Sequence, residues 1–151
     1  MGRAMSLVQR LAWLYCLLFL SVVVITHAPG LTDAEGRNLG LFKIDPIDDV
    51  IHAVSALWAG FAAWRSPWAS RFYFRAFGLY YTADAFIGLF TGWTVPEFLI
   101  HWSVYPGYSM LDDFFWKFAA NAPHFVIGPA ALAIGFLLSA FTARARVAEP
   151  A

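Results

Sequence analysis

Charge is scarce in this chain. Asp, Glu, Lys and Arg make up only 13% of its 151 residues, against about 25% in an average soluble domain. The ten basic and ten acidic residues cancel. With no net charge and no basic stripe, nucleic-acid binding is excluded as a function class. Cysteine is almost missing as well. Cys16 stands alone, which excludes an internal disulfide framework and any thiolate-only metal site. It also lies inside an apolar run, where a thiolate is disfavoured. No glycine-rich phosphate loop is present, and no His-Glu-x-x-His, Cys-x-x-Cys or Glu-x-x-His pattern. Ser55, Ser70 and Ser103 lack the surroundings of a nucleophile elbow. Conventional soluble enzyme chemistry therefore has no visible machinery, and a non-enzymatic role is expected.

Apolar residues, by contrast, are abundant. Hydrophobic side chains make up 60% of the chain and aromatic ones 19%, with a mean hydropathy of +0.61. A soluble protein of this length cannot hide that much apolar surface. Four apolar runs approach the roughly 20 residues that cross a hydrocarbon core: residues 7–26, 47–64, 72–90 and 123–141. The first, charge-free from Leu11 to Ile25, also has basic residues ahead of it. Thr26-His27-Ala28 is a poor cleavage site, however, and the run is long for a signal peptide. The opening Met-Gly-Arg-Ala-Met-Ser fits a myristoylation pattern, read here as chance because a lipid adds little to a chain with several spans.

The charges alternate along the chain as membrane orientation requires. Arg3, Arg10, Arg65, Arg71, Arg75, Arg144 and Arg146 fall on one side of the four runs; Arg37, Lys43 and Lys117 fall on the other. Basic residues concentrate on the cytoplasmic side. Most acids, from Asp33 and Glu35 to Asp112 and Asp113, sit opposite. The expected fold is thus all-α: a four-transmembrane-helix antiparallel bundle in one membrane domain over residues 1–151, both termini cytoplasmic, in the cell inner (plasma) membrane. Low lysine with abundant alanine and arginine suggests a GC-rich bacterial source.

Local signals refine this plan. Asp45-Pro46 offers an N-cap and a pre-set first residue for the second helix, with Asp48 near its positive end. Asn121-Ala-Pro123 is expected to do the same for the fourth. Ser66-Pro67-Trp68 reads as a tight turn that makes the second and third helices antiparallel neighbours. The segment from Thr91 to Ala122 is long, rich in aromatics and broken by Pro96 and Pro106-Gly107. It is expected to lie on the outer membrane surface, with a short interfacial helix near residues 111–120. A faint repeat links Asp49-Val-Ile-His52 with Asn121-Ala-Pro-His124. Small residues follow each: Ser55, Ala56, Ala59 and Gly60, then Gly128, Ala131 and Gly135. Small residues let helices approach closely in lipid, and Gly78 and Gly88 read as packing positions too.

All four histidines (His27, His52, His101 and His124) fall toward the outer side. Asp84 lies about 12 Å below the end of the third run and His52 about 10 Å into the second, at about 1.5 Å per residue. An ionisable group within a span costs about 2.5–3.5 kcal/mol, so it faces the bundle interior and takes a partner. Asp84, His52 and His124 are expected to meet in one polar pocket, joined by Asp49, Tyr81 and Asn121, with Asp48 and Tyr80 nearby. Two readings of Asp84 stay open: a buried structural pair, or ligand and proton work. His52, His124 and Asp84 are also the candidates for a divalent metal or haem, since imidazole and carboxylate suit such ions; the plain alternative is a pair of helix-start histidines.

Leu39-Gly-Leu-Phe-Lys-Ile-Asp-Pro-Ile-Asp-Asp-Val-Ile-His52, Gly78-Leu-Tyr-Tyr, Ile87-Gly-Leu-Phe90 and Asn121-Ala-Pro-His-Phe-Val-Ile-Gly128 together resemble an uncharacterised family of small bacterial four-span membrane proteins. That family is similar in outline to the DoxX-like proteins, some of which are linked to quinone or redox systems. The resemblance covers about Ala28 to Ser139. It implies the fold, the orientation and histidines at His52 and His124, but no reaction. A further histidine common where Asp48 or Asp49 stands is replaced here by acids. Three functions follow as expectations. The first is binding of a membrane protein partner, a homo-oligomeric copy, lipid or a small hydrophobic ligand, as in an accessory subunit. The second is redox or metal/haem binding through His52, His124 and Asp84. The third is proton-coupled transport through Asp84.

Overall fold

Ser6 starts the first helix by folding back on Gln9. Its backbone N–H and its hydroxyl both donate to Gln9 Oε1, at 3.1 and 2.9 Å. This satisfies a donor that the helix start leaves without an internal partner. The computed structural model describes residues 4–34, 37–42, 44, 46–104 and 113–147, with the side chains of 100–104 and 139–147 outside the description. Five helices are present among them: α1 (Leu7–Thr26), α2 (Pro46–Arg65), α3 (Pro67–Thr91), α4 (Val95–Val104) and α5 (Phe114–Val147). Among the described residues there is no strand. Two isolated bridges, Thr32 to Asn38 and Asn38 to Phe42, fold the connection from α1 to α2 into a small loop.

The turn read from Ser66-Pro67 is one residue long. Ser66 Oγ accepts from the Ala69 N–H at 3.1 Å and Pro67 takes the first turn of α3, where its missing N–H costs nothing. Ser70 Oγ donates to the Ala62 carbonyl at 3.1 Å, and Gln9 Nε2 donates to the Ala63 carbonyl at 2.8 Å. α1, α2 and α3 are thereby tied at this end. At the other end α3 stops at Gly92, whose φ of 79° is left-handed, a conformation glycine adopts without a Cβ clash.

α3 is the central element: it touches α1, α2, α4 and α5. The most extensive pairings are α3 with α5 and α1 with α2, the two pairs that the faint repeat divides. The α3–α5 contact is backbone to backbone. A Cβ on Gly78 would stand 2.7 Å from the Leu132 nitrogen, one on Gly128 2.7 Å from the Thr82 nitrogen, and one on Gly135 3.0 Å from the Arg75 nitrogen. Between α1 and α2 a Cβ on Gly60 would meet Cys16 Sγ at 3.1 Å. The core along α3 is a ladder of rings, Tyr73, Phe77 and Tyr81, with centroids 5.1 and 4.2 Å apart. Phe19 and Tyr15 of α1 meet it edge-on. Offset and edge contacts of this kind add about 0.5–1.5 kcal/mol per pair beyond burial.

The outside of the bundle is apolar and the inside partly polar. Leu57, Leu79, Phe90 and Val126 are 66–76% exposed, while Ser70, Asp84 and Asn121 are buried. Two helical stretches, Leu7–Thr26 and Phe114–Leu138, are long and apolar enough to cross a membrane. Only 28% and 22% of their apolar windows are buried, unlike a helix at the centre of a soluble core. α2 and α3, at 20 and 25 residues, have the length. They also carry Asp48, Asp49, Arg65, Arg71, Arg75 and Asp84, which reduce their apolar character.

Two local expectations are corrected. No separate interfacial helix precedes the fourth run among the described residues; α5 begins at Phe114 and continues through Pro123 and Pro129. Asn121 is therefore not a cap but an interior residue, its Nδ2 donating to the Lys117 carbonyl at 2.8 Å. Each proline removes one backbone hydrogen bond without ending the helix, as helices packed on neighbours tolerate. The second correction is α4, a helix at Val95–Val104 where surface chain is expected from the sequence. Thr94 and Glu97 form its cap: the Thr94 N–H and hydroxyl both donate to Glu97 Oε2, at 2.9 and 3.0 Å. That threonine-x-x-glutamate spacing marks a helix start and was legible. The Asp45 cap, the side chain of His101 and Pro106-Gly107 lie outside the described residues.

Candidate functional site

At the end of the bundle that carries α4 there is a cavity of about 180 Å³. For scale, a dry engineered cavity of about 150 Å³ accepts benzene. Its sides come from α1 (Leu18, Phe19, Val22), α2 (Asp48, Ile51, His52), α3 (Tyr80, Tyr81, Asp84) and α5 (Ala120, Asn121, Pro123, His124, Ile127). Phe42 and Ile44 of the α1–α2 loop and Gly92, Trp93, Thr94 and Glu97 around the start of α4 complete it.

Asp84 is the best-held group here. It is 2% exposed, and each of its oxygens has a partner. Oδ1 accepts from the Val95 N–H at 2.7 Å, the first residue of α4. Oδ2 lies 2.8 Å from His124 Nδ1, out of line with the ring N–H for a well-formed hydrogen bond. The carboxylate thus faces the positive end of α4, the arrangement a helix dipole favours. α3 can present Asp84 at this spot because its buried face recurs at helical spacing through Phe74, Phe77, Tyr81 and Asp84, so all four fall on one side of the helix. Asp84 is the last of these, one turn below the buried Gly88.

The two imidazoles reach the cavity from different helices, α2 and α5. His52 stacks on Phe19, with centroids 5.8 Å apart. Its Nδ1 is buried without a well-formed hydrogen bond. His124 leans on Tyr81, with centroids 4.7 Å apart. Tyr81 is 1% exposed; its hydroxyl has Ser55 beside it but no partner at good geometry. Asn121 fills the space that a Cβ on Gly88 would need, which explains why that position is glycine.

Of the residues singled out from sequence, Asp84, His52, His124, Tyr81 and Asn121 share this cavity. Asp49 does not. Its Oδ1 accepts from Thr26 Oγ1 at 2.8 Å and its Oδ2 lies 3.7 Å from His27 Nε2. It ties α2 to the end of α1, while its neighbour Asp48 lines the cavity instead, because adjacent helical residues point about 100° apart. Phe19, Phe42, Ile44, Trp93 and Glu97 were not anticipated. Only Glu97 carried a signal, through its spacing from Thr94. The others enter by loop folding and helix rotation, which no sequence period encodes. Among the described residues, no group of three or more His, Cys, Asp or Glu side chains is arranged to hold a metal ion.

Compared with protein-family models, curated proteins and solved structures, the chain finds no match in any of the three. The resemblance carried by its short motifs therefore stays a resemblance, and the functional reading rests on the geometry.

Proposed function

We propose that this chain is a multi-pass protein of the inner membrane, with α1, α2, α3 and α5 as its four spans, that binds a small, largely apolar molecule in the cavity beneath the outer surface. One observation carries the reading: polar groups of several helices converge on one cavity while large apolar side chains face outward on all four long helices. In lipid this is the favourable arrangement, because ionisable groups turn inward and lipid replaces water around the apolar exterior. The walls then suit a ligand with an apolar body and one hydrogen-bonding end. Phe19, Ile127 and Trp93 would meet the body; His52, His124 and Tyr81 would meet the polar end. Pockets for small molecules commonly combine apolar walls with a few convergent polar groups.

The short hydrogen bond that Asp84 Oδ1 accepts from the Val95 N–H favours an anchoring role for that carboxylate over proton-coupled transport. The protein acts as a binding component, and handing its ligand to a membrane partner is consistent with the accessory role expected from sequence. Native mass spectrometry of gently solubilised protein tests this. A stoichiometric small molecule should accompany the chain and be lost on Ala120→Phe, which fills the cavity. Its retention by that variant would place the ligand elsewhere and defeat the reading.

A further inference from the structure

The proposed ligand cavity offers acceptors more readily than donors; this inference rests on that cavity reading. Several donors around it are spent inside the protein. The Val95 N–H goes to Asp84, and the Thr94 N–H and hydroxyl both go to Glu97. The Gly92 N–H is taken by the Gly88 carbonyl, and the Trp93 N–H by Thr91 Oγ1 at 3.1 Å. Asn121 turns its Nδ2 to the Lys117 carbonyl at 2.8 Å, and the oxygen of such an amide can only accept. The Tyr80 hydroxyl, which lines the cavity, can donate as well as accept and does not discriminate.

His124 tips the balance. Its Nδ1 lies 2.8 Å from Asp84 Oδ2, and a carboxylate accepts through both of its oxygens. A bare nitrogen lone pair would be repelled by an oxygen lone pair at that separation. Nδ1 therefore carries the ring proton, although its N–H is out of line for a well-formed hydrogen bond. In a neutral imidazole the proton on one nitrogen leaves the other as an acceptor. Nδ1 is fully buried and Nε2 is not. Nε2 has no protein partner among the described residues, so its lone pair is left for whatever occupies the cavity. His52 repeats the pattern from α2. Its Nδ1 is buried, and the main chain of Asp48, one turn earlier, lies within hydrogen-bonding reach of the ring. A ring proton held there again leaves Nε2 bare. The two rings are close enough to interact electrostatically, so both acceptor nitrogens serve one small volume. A ketone, aldehyde or ether would bring another lone pair to them. A hydroxyl brings the proton they lack.

We propose that the cavity selects apolar molecules that end in a hydroxyl, alcohols or phenols donating to His124 Nε2, over molecules of the same shape whose polar end only accepts. The test uses the full-length protein in detergent at pH 8, where an ordinary imidazole is neutral. Three probes of similar size are compared: phenol, its methyl isostere toluene, and benzaldehyde. Binding is read by equilibrium dialysis, with the Ala120→Phe variant subtracting uptake by the micelle, and each affinity is taken relative to the probe's partitioning into empty micelles. On that scale phenol should exceed toluene by about three- to tenfold, the effect of one hydrogen bond, and benzaldehyde should not exceed toluene. His124→Asn places an amide nitrogen where Nδ1 stands, toward Asp84, and removes the Nε2 acceptor. It should abolish the advantage of phenol over toluene, with an unchanged helical circular dichroism spectrum showing that the variant is folded. His124→Gln, whose amide reaches the Nε2 position, should restore part of that advantage. Should His124→Asn not fold, the comparison of the three probes on the unaltered protein decides alone. Equal relative affinity for phenol and toluene, tighter binding of benzaldehyde than of phenol, or an advantage of phenol that survives in folded His124→Asn overturns the hydroxyl selection and leaves the cavity reading standing. Binding of none of the three beyond the Ala120→Phe background overturns both.

Discussion

Asp84 on α3 accepts a 2.7 Å hydrogen bond from the backbone N–H of Val95, so a carboxylate buried in one helix caps the next. The connection between them is only Gly92, Trp93 and Thr94, and the left-handed Gly92 turns the chain so that α4 starts directly over Asp84. The short helix is held by that carboxylate and by its own Thr94–Glu97 cap rather than by a broad packed face; it touches α3 only weakly compared with α5.

Asp84→Ala should therefore loosen α4 before it disturbs the bundle. A hydrogen bond to a charged acceptor contributes about 1.5–3 kcal/mol, so hydrogen exchange at the Val95 amide should quicken by roughly ten- to a hundredfold at about 1.4 kcal/mol per factor of ten. Exchange within Tyr73 to Tyr81 should be little changed. Asp84→Asn keeps an acceptor oxygen and should fall between the two. Unaltered protection at Val95 in Asp84→Ala would rule out the capping role.

The α3–α5 contact predicts an intolerant position. Any side chain at Gly78 meets the Leu132 nitrogen at 2.7 Å and the Gly128 carbonyl at 2.9 Å. Backbone cannot step aside as a flexible side chain does. Gly78→Val should lower stability by at least about 1–3 kcal/mol, seen as a lower unfolding temperature in detergent. Adding Leu132→Ala should not restore it, since the obstruction is main chain. A full rescue by that second substitution would mean that the helices are farther apart than described.

Two buried tyrosines should respond differently to losing their hydroxyls. Tyr73 and Tyr81 are both essentially inaccessible and neither hydroxyl has a well-formed partner. Removing an unsatisfied buried polar group relieves its desolvation penalty. Tyr73→Phe is expected to hold stability or raise it by up to about 1 kcal/mol, with ligand binding unaffected because Tyr73 lies away from the cavity. Tyr81→Phe should also keep its melting temperature but weaken retention of the proposed ligand. A large loss of stability in either variant would reveal a hydrogen bond that the packing does not show.

The proposed four spans would put the α1–α2 loop and the Ser66 turn on opposite sides of the membrane. In a Cys16→Ala background, Leu41→Cys should react with a membrane-impermeant maleimide on intact cells. Trp68→Cys, at a site 71% exposed, should react only after permeabilisation. Reaction of both variants from the same side contradicts the topology.

Much of the helical plan was legible, because apolar length and helix caps are local properties. The expected first run, residues 7–26, coincides with α1, and the second differs from α2 by one residue at each end. α3 starts at Pro67 rather than Phe72, since Ser66-Pro67 is a stronger start than the first aromatic of the run. Asn121-Ala-Pro123 misled for the opposite reason: a proline usually marks a helix boundary, and here the packing of α5 on α3 overrides it. The candidate site was legible in its polar members and illegible in its apolar ones. An Asp or His in an apolar run is conspicuous; a Phe or Ile that happens to face a cavity is not.

Composition, the spacing of apolar runs and the caps at Ser6, Ser66 and Thr94 were sufficient by themselves to make this an all-helical chain with an apolar exterior, because each acts over a turn or two of backbone. Which helix lies at the centre, that Asp48 and not Asp49 turns inward, and that α4 closes over Asp84 were decided only by the tertiary structure. Those outcomes depend on how glycine and alanine faces let the helices rotate and approach one another, a property of pairs of helices that no single segment contains.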